Sequence, residues 1–116
     1  MQITQISFRF ILLASLVIIS TLATQEIDLE SKNAFNDKLL HFLCFFYLTI
    51  ISWLAKLLDK ELLLYVIVLG YGILIEIVQM YLPYRSFEFL DIFADMTGIV
   101  AASFFINFLK DFYPDY

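Results

Sequence analysis

The chain has 116 residues, of which 62% are hydrophobic and 16% charged, and its mean hydropathy is +0.86. Soluble domains run at about 45–50% apolar and about 25% charged, so this composition excludes a water-soluble globule and points to a protein embedded in a membrane. The net charge of −5, without any basic run, excludes nucleic acid as a partner.

A helical span needs about 20 apolar residues, so four spans use most of the chain and leave no room for a separate soluble catalytic domain. Thirteen Phe, seven Tyr and only three Gly suit lipid-facing helices rather than a barrel of alternating strands. The expected fold class is all-α: one domain over residues 1–116, an integral membrane bundle of four transmembrane helices.

No charge falls between Arg9 and Glu26, and residues 10–24, FILLASLVIISTLAT, form the first span. A short positive flank and small residues at Thr21 and Ala23 also describe a cleaved leader. A retained helix is preferred, because the flank has a single basic side chain and three remaining spans would be unusually few. The connection from Gln25 to Lys38, with Glu26, Asp28, Glu30 and Lys32, is the most polar stretch and reads as a loop. The second span runs from Leu39 to Ala55, broken only by His41, with Cys44 as a small hydrophobe that has no intrachain partner. The third runs from Leu62 to Tyr84 and holds Glu76; the fourth runs from Phe89 to Leu109 and holds Asp91 and Asp95. Short connections imply antiparallel neighbours.

Basic residues near span ends are retained on the cytoplasmic side. Arg9, Lys56, Lys60 and Lys110 fall on one side, with Lys32, Lys38 and Arg85 on the other. Lys38 and Arg85 sit beside intramembrane carboxylates that neutralise them, so the balance places both termini in the cytoplasm.

Ionisable residues crowd toward the opposite, outer face. Asp37 and His41 are four apart at the start of the second span, Glu76 and Gln79 three apart near the end of the third, and Asp91 and Asp95 four apart at the start of the fourth. Such spacings share a helix face. A charge at the bilayer centre costs about 2.5–3.5 kcal/mol on insertion scales, and Glu76, about fourteen residues into its apolar run, is the costliest. Intramembrane ionisable groups face the bundle interior and pair with one another. The expectation is an outward-facing polar pocket lined by Asp37, Lys38, His41, Glu76, Gln79, Arg85, Asp91 and Asp95.

Several chemistries fit these residues. A carboxylate on one ring nitrogen makes His41 an oriented general base, so His41, Glu76 and Asp95 are the catalytic candidates. Asp37, Lys38, Gln79, Arg85 and Asp91 are the binding candidates, with the planar fork of Arg85 suited to a phosphate or carboxylate headgroup. His41, Glu76 and the two aspartates also suit a divalent cation. No metal-ligand motif, nucleophilic serine motif or glycine-rich phosphate loop is present, so no metal ligand is assigned and the cofactor is unknown. The competing reading is structural: an ion-pair network locking short helices together, with Lys38 a snorkelling end residue and Gln79 ordinary helix glue.

Packing signals accompany these. Ala94, Gly98 and Ala102 recur every four residues, a ridge allowing close helix approach, expected to adjoin the polar pocket and to offer a surface for a homo-oligomer. Gly70 and Gly72 suggest a second such contact. Trp53, Tyr47, Tyr65, Tyr81, Tyr84, Tyr113 and Tyr116 read mostly as aromatic belts at span ends.

The segments DKLLHFLCFFYLTIISWLA and GYGILIEIVQMYLPYRSFEFLDIFADMTGIVAA resemble the VanZ-like family of small bacterial membrane proteins. The family's Asp-Lys-x-x-His falls on Asp37, Lys38 and His41. Its Gly-x-x-x-Glu-x-x-Gln falls on Gly72, Glu76 and Gln79, its Arg on Arg85, and its Asp-x-x-x-Asn/Asp with a following Gly on Asp91, Asp95 and Gly98. The resemblance covers about residues 37–105; Asp95 stands where many relatives carry Asn. It implies a bacterial cytoplasmic-membrane location and a connection with the cell envelope, and no particular reaction. The family is named after an accessory protein of glycopeptide resistance, so a glycopeptide response is one place to look, without implying that this chain confers resistance. The expected function is binding or modifying the headgroup of a membrane lipid or lipid-linked envelope precursor. The alternative is a non-enzymatic assembly or scaffold protein; proton-coupled transport is weaker, because no polar residue continues the path to the cytoplasmic half.

Overall fold

The computed structural model describes residues 3–25 and 34–112. Residues 26–33 of the polar connection, and Tyr113 and Tyr116, lie outside the described residues. Four helices follow in order: α1 (Ile3–Thr24), α2 (Ala34–Leu54), α3 (Glu61–Met80) and α4 (Phe89–Leu109). Each is long and apolar enough to cross a membrane, since about 20 residues at about 1.5 Å each match a hydrocarbon core of about 30 Å. The all-α membrane bundle expected from composition is therefore the fold.

The boundaries differ from the expected spans where charge was taken as a stop. Asp37 and Lys38 belong to α2, which starts at Ala34, and α3 ends at Met80, before the turn that carries Pro83. Proline lacks the N–H that would continue the ladder. The short α2–α3 connection reverses the chain through Lys56, a non-glycine residue at φ 49°.

α2 packs most extensively on α4, touches α1 and α3 as well, and forms the axis of the bundle; α1 meets α2 and α3 but not α4 among the described residues. The ridge on α4 explains the α2–α4 contact. A Cβ on Gly98 would collide with the Phe42 carbonyl oxygen and come within 3.1 Å of the Phe46 nitrogen, so only hydrogen fits where the two backbones meet. Ala102 is completely buried one turn on. At Gly98 and Ala102 the ridge thus packs α4 on α2 within the chain.

Gly72 is similar: a Cβ there would lie 2.7 Å from Asp95 Oδ2 and 2.9 Å from Phe45 Cζ. Gly70 faces open space, so its expected packing role is corrected. Trp53 is not a belt residue: it is buried with Leu64 and Ile106 in an apolar cluster. Tyr47 stands mid-helix, with its hydroxyl 2.6 Å from Ser15 Oγ.

In α1 only Leu12 is fully buried, with Phe8, Leu16 and Ile19 packed against the same apolar cluster, and hydrogen bonds add to this hold. Tyr71 pairs with Ser20 at 2.7 Å, Gln79 Nε2 donates to the Ala23 carbonyl at 2.9 Å, and the Tyr84 hydroxyl donates to the Thr24 carbonyl. Arg9 of α1 reciprocates, donating through Nε and Nη2 to the Ala55 and Lys56 carbonyls, each at 2.9 Å, at the end of α2.

Candidate functional site

The polar residues of α2, α3 and α4 meet at one end of the bundle. Antiparallel order places the first turns of α2 and α4 beside the last turn of α3, so residues remote in sequence converge. Lys38 is the hub. Its Nζ donates to Asp37 Oδ2 at 3.1 Å and forms closer ion pairs with Glu88 and Asp91 Oδ1. The snorkelling reading of Lys38 is therefore corrected: three carboxylates hold the ammonium inside the bundle, with 24% of the side chain exposed.

One turn further along α2, His41 stands between both aspartates of α4. Its Nδ1 lies 2.8 Å from Asp95 Oδ1 and its Nε2 lies 3.5 Å from Asp91 Oδ2. Nδ1 therefore sits at hydrogen-bond distance from Asp95, and Nε2 faces Asp91 across a longer gap. Asp95 is 1% exposed and held in place by Gly72, whose missing side chain makes room for Oδ2.

Glu76 is wholly buried. Its Oε2 accepts the backbone N–H of Glu88 at 3.2 Å, at the N-cap of α4, where the exposed amides of a helix start favour a carboxylate. Its Oε1 and Asp95 Oδ2 are buried without a hydrogen-bond partner among the described residues. The Glu76 and Asp91 carboxyls face each other. Asp37, Glu76, Glu88, Asp91 and Asp95 thus crowd five carboxyl groups around Lys38 and His41 at the bundle's end.

Gln79 and Arg85, placed by sequence in the same cluster, turn to α1 instead. Arg85 donates through Nε to the Gln25 carbonyl at 3.1 Å and through Nη2 to the Leu22 and Gln25 carbonyls at 3.0 and 2.9 Å. These are carbonyls that the end of a helix leaves without intrahelical donors. Glu88 was missed by sequence reasoning, which treated the α3–α4 connection as a linker around Arg85. Its signal is its spacing: Glu88, Asp91 and Asp95 at offsets zero, three and seven form one face of α4 extended back by a turn.

Beside the network lies a cavity of about 200 Å³ between α1, α2 and α3. Asp37, His41, Gln79 and Arg85 line its polar part, and Ile19, Leu22, Leu40, Cys44, Phe45 and Ile75 its apolar part. One ligand atom each from Asp37, His41 and Asp91 lies within 4.8 Å of the other two.

The family model described as VanZ/LLP1 matches residues 2–110. The chain belongs to the VanZ/LLP1 family. No curated protein and no solved structure matches it. The match takes in α1 as well as the motif-bearing α2–α4, and so extends the VanZ/LLP1 likeness beyond residues 37–105.

Proposed function

We propose that this VanZ/LLP1 protein binds the polar head of a membrane lipid or lipid-linked envelope precursor in the cavity between α1, α2 and α3, on the outer face of the bacterial cytoplasmic membrane. The mixed lining of that cavity carries the reading: ionisable and amide side chains from Asp37, His41, Gln79 and Arg85 share it with aliphatic and aromatic ones. An amphiphile satisfies both kinds of lining, whereas a free ion or sugar leaves the apolar side chains wet. His41, Asp95 and Glu76 are the proton-handling candidates. Asp37, Gln79 and Arg85, which line the cavity, and Lys38 and Asp91 in the adjoining network are the binding candidates.

The test fills the cavity without touching the network. Cys44→Trp occupies space lined by apolar residues; the purified variant should carry markedly less copurifying lipid than wild type by mass spectrometry, at equal membrane abundance. The reading fails if the same lipid is retained in the same amount.

A structural role is the second reading, and the way the cations are used favours it. Lys38 is engaged by three carboxylates, while Arg85 and Arg9 are engaged by helix-end carbonyls. On that reading Lys38→Met and Arg85→Ala empty the membrane of the protein, with no separate effect on lipid at matched abundance.

A further inference from the structure

From the geometry around His41 we propose that Asp37, His41 and Asp91 hold a divalent transition-metal ion. The two nitrogens of His41 are used differently. Nδ1 is bonded to Asp95 at 2.8 Å, the carboxylate–histidine pairing that fixes a metal-binding imidazole. Nε2 lies 3.5 Å from Asp91 Oδ2. That distance is long for a hydrogen bond but fits two ligands of one ion, which at bonds of about 2.1 Å and a tetrahedral angle sit about 3.4 Å apart. Asp91 divides its oxygens accordingly: Oδ1 pairs with Lys38 and Oδ2 faces His41.

A second, independent observation points to the same charge. Glu76 is completely buried, and its Oε1 has no hydrogen-bond partner among the described residues. Asp95 Oδ2, beside the imidazole, is likewise buried without a hydrogen-bond partner among the described residues, and buried carboxyl oxygens of this kind need a cation close by or a proton of their own. The cluster holds five carboxyls against one lysine and one histidine, so Lys38 alone does not supply it. One imidazole with two carboxylates suits zinc or manganese better than magnesium or calcium.

Three protein ligands leave coordination positions open. Asp37 and His41 line the cavity, so an open position there accepts an anionic oxygen, such as a phosphate of a lipid head, which bare carboxylates would repel. That role rests on the lipid-head reading above; the ion site rests on the geometry alone.

The full-length protein, stripped with chelator in detergent micelles, is titrated with Zn²⁺ and with Mn²⁺. Wild type should saturate with a single ion per chain for at least one of them. His41→Ala and Asp91→Asn should abolish saturable binding, and Asp95→Asn, which only orients the imidazole, should weaken it about 10–100-fold. Pulsed electron paramagnetic resonance of Mn²⁺-loaded wild type needs no variant, and should show coupling to one imidazole nitrogen. Absence of saturable binding by both ions in wild type, or a bound manganese without nitrogen coupling, overturns the proposal. A protein that copurifies lipid yet binds neither ion overturns the site and leaves the lipid reading intact. One that binds an ion but no lipid supports the site while the lipid reading falls.

Discussion

Two lysines illustrate how burial decides what an ion pair contributes. Lys110 and Glu61 form a close pair at the opposite end of the bundle, with 42% and 32% of their side chains exposed, and such a pair contributes about 0–1 kcal/mol. Lys38 pairs with Asp91, which is 5% exposed, and with two further carboxylates. Removing one partner of a buried pair strands the other charge, at about 3–5 kcal/mol. Lys38→Met should therefore destabilise the bundle by about that amount, and Glu61→Gln by less than about 1 kcal/mol. Denaturant unfolding in matched micelles measures both; equal effects would show that the Lys38 cluster is solvated. The glycines give a parallel contrast. Gly98→Ala places a methyl against the Phe42 carbonyl and should separate α2 from α4, whereas Gly70→Ala meets nothing within 4 Å and should be neutral or stabilising by up to about 1 kcal/mol. Thermal stability of the two variants should differ in sign or nearly so.

Among the elements, α1 and α2 are each finished at their C-terminal end by an arginine from another element. Arg9 closes α2 and Arg85 closes α1, supplying donors to carbonyls at and just beyond the helix ends. Arg85→Ala should loosen the end of α1 by about 1–2 kcal/mol, so amides near Thr24 exchange about 5–30-fold faster with deuterium. Exchange near Ala55 should stay unchanged. An equal rise at both ends would mean a general loss of stability rather than an uncapped helix. This use of Arg85 was not legible in sequence, where an arginine between two acidic segments reads as an anion contact. Backbone carbonyls carry no residue signature, so bonds to them cannot be anticipated from residue types. The convergence of Asp37, His41, Asp91 and Asp95 was legible, because pairs at helical spacing on antiparallel spans reach the same depth. The hub role of Lys38 was not, since a lysine at an apolar boundary reads equally as a snorkelling end.

At the scale of the molecule, composition sufficed for the fold class and the charge-free runs sufficed for four helices, with errors where polar turns continue a helix. The polar cluster and the α2–α3 reversal at Lys56 lie at opposite ends of the bundle. The proposed outward orientation of the cluster rests on the basic-residue balance and is open to direct test. In a Cys44→Ser background, Ser86→Cys should react with a membrane-impermeant maleimide on intact cells, and Asp59→Cys only after permeabilisation. The reverse pattern would invert the bundle and place the cavity on the cytoplasmic face.

α1 is gripped by its carbonyls: Leu16, Leu22, Ala23, Thr24 and Gln25 each accept a bond from elsewhere in the chain. A carbonyl is the same whatever side chain follows it, so most of these bonds survive exchange of one apolar residue for another. They do not survive a change of phase. Inserting one residue near Leu13 turns everything beyond it by about 100° and lifts it by about 1.5 Å, and so moves every one of these acceptors at once. In this helix, counting matters more than spelling: many different apolar words of the right length serve, and a single extra letter ruins them all.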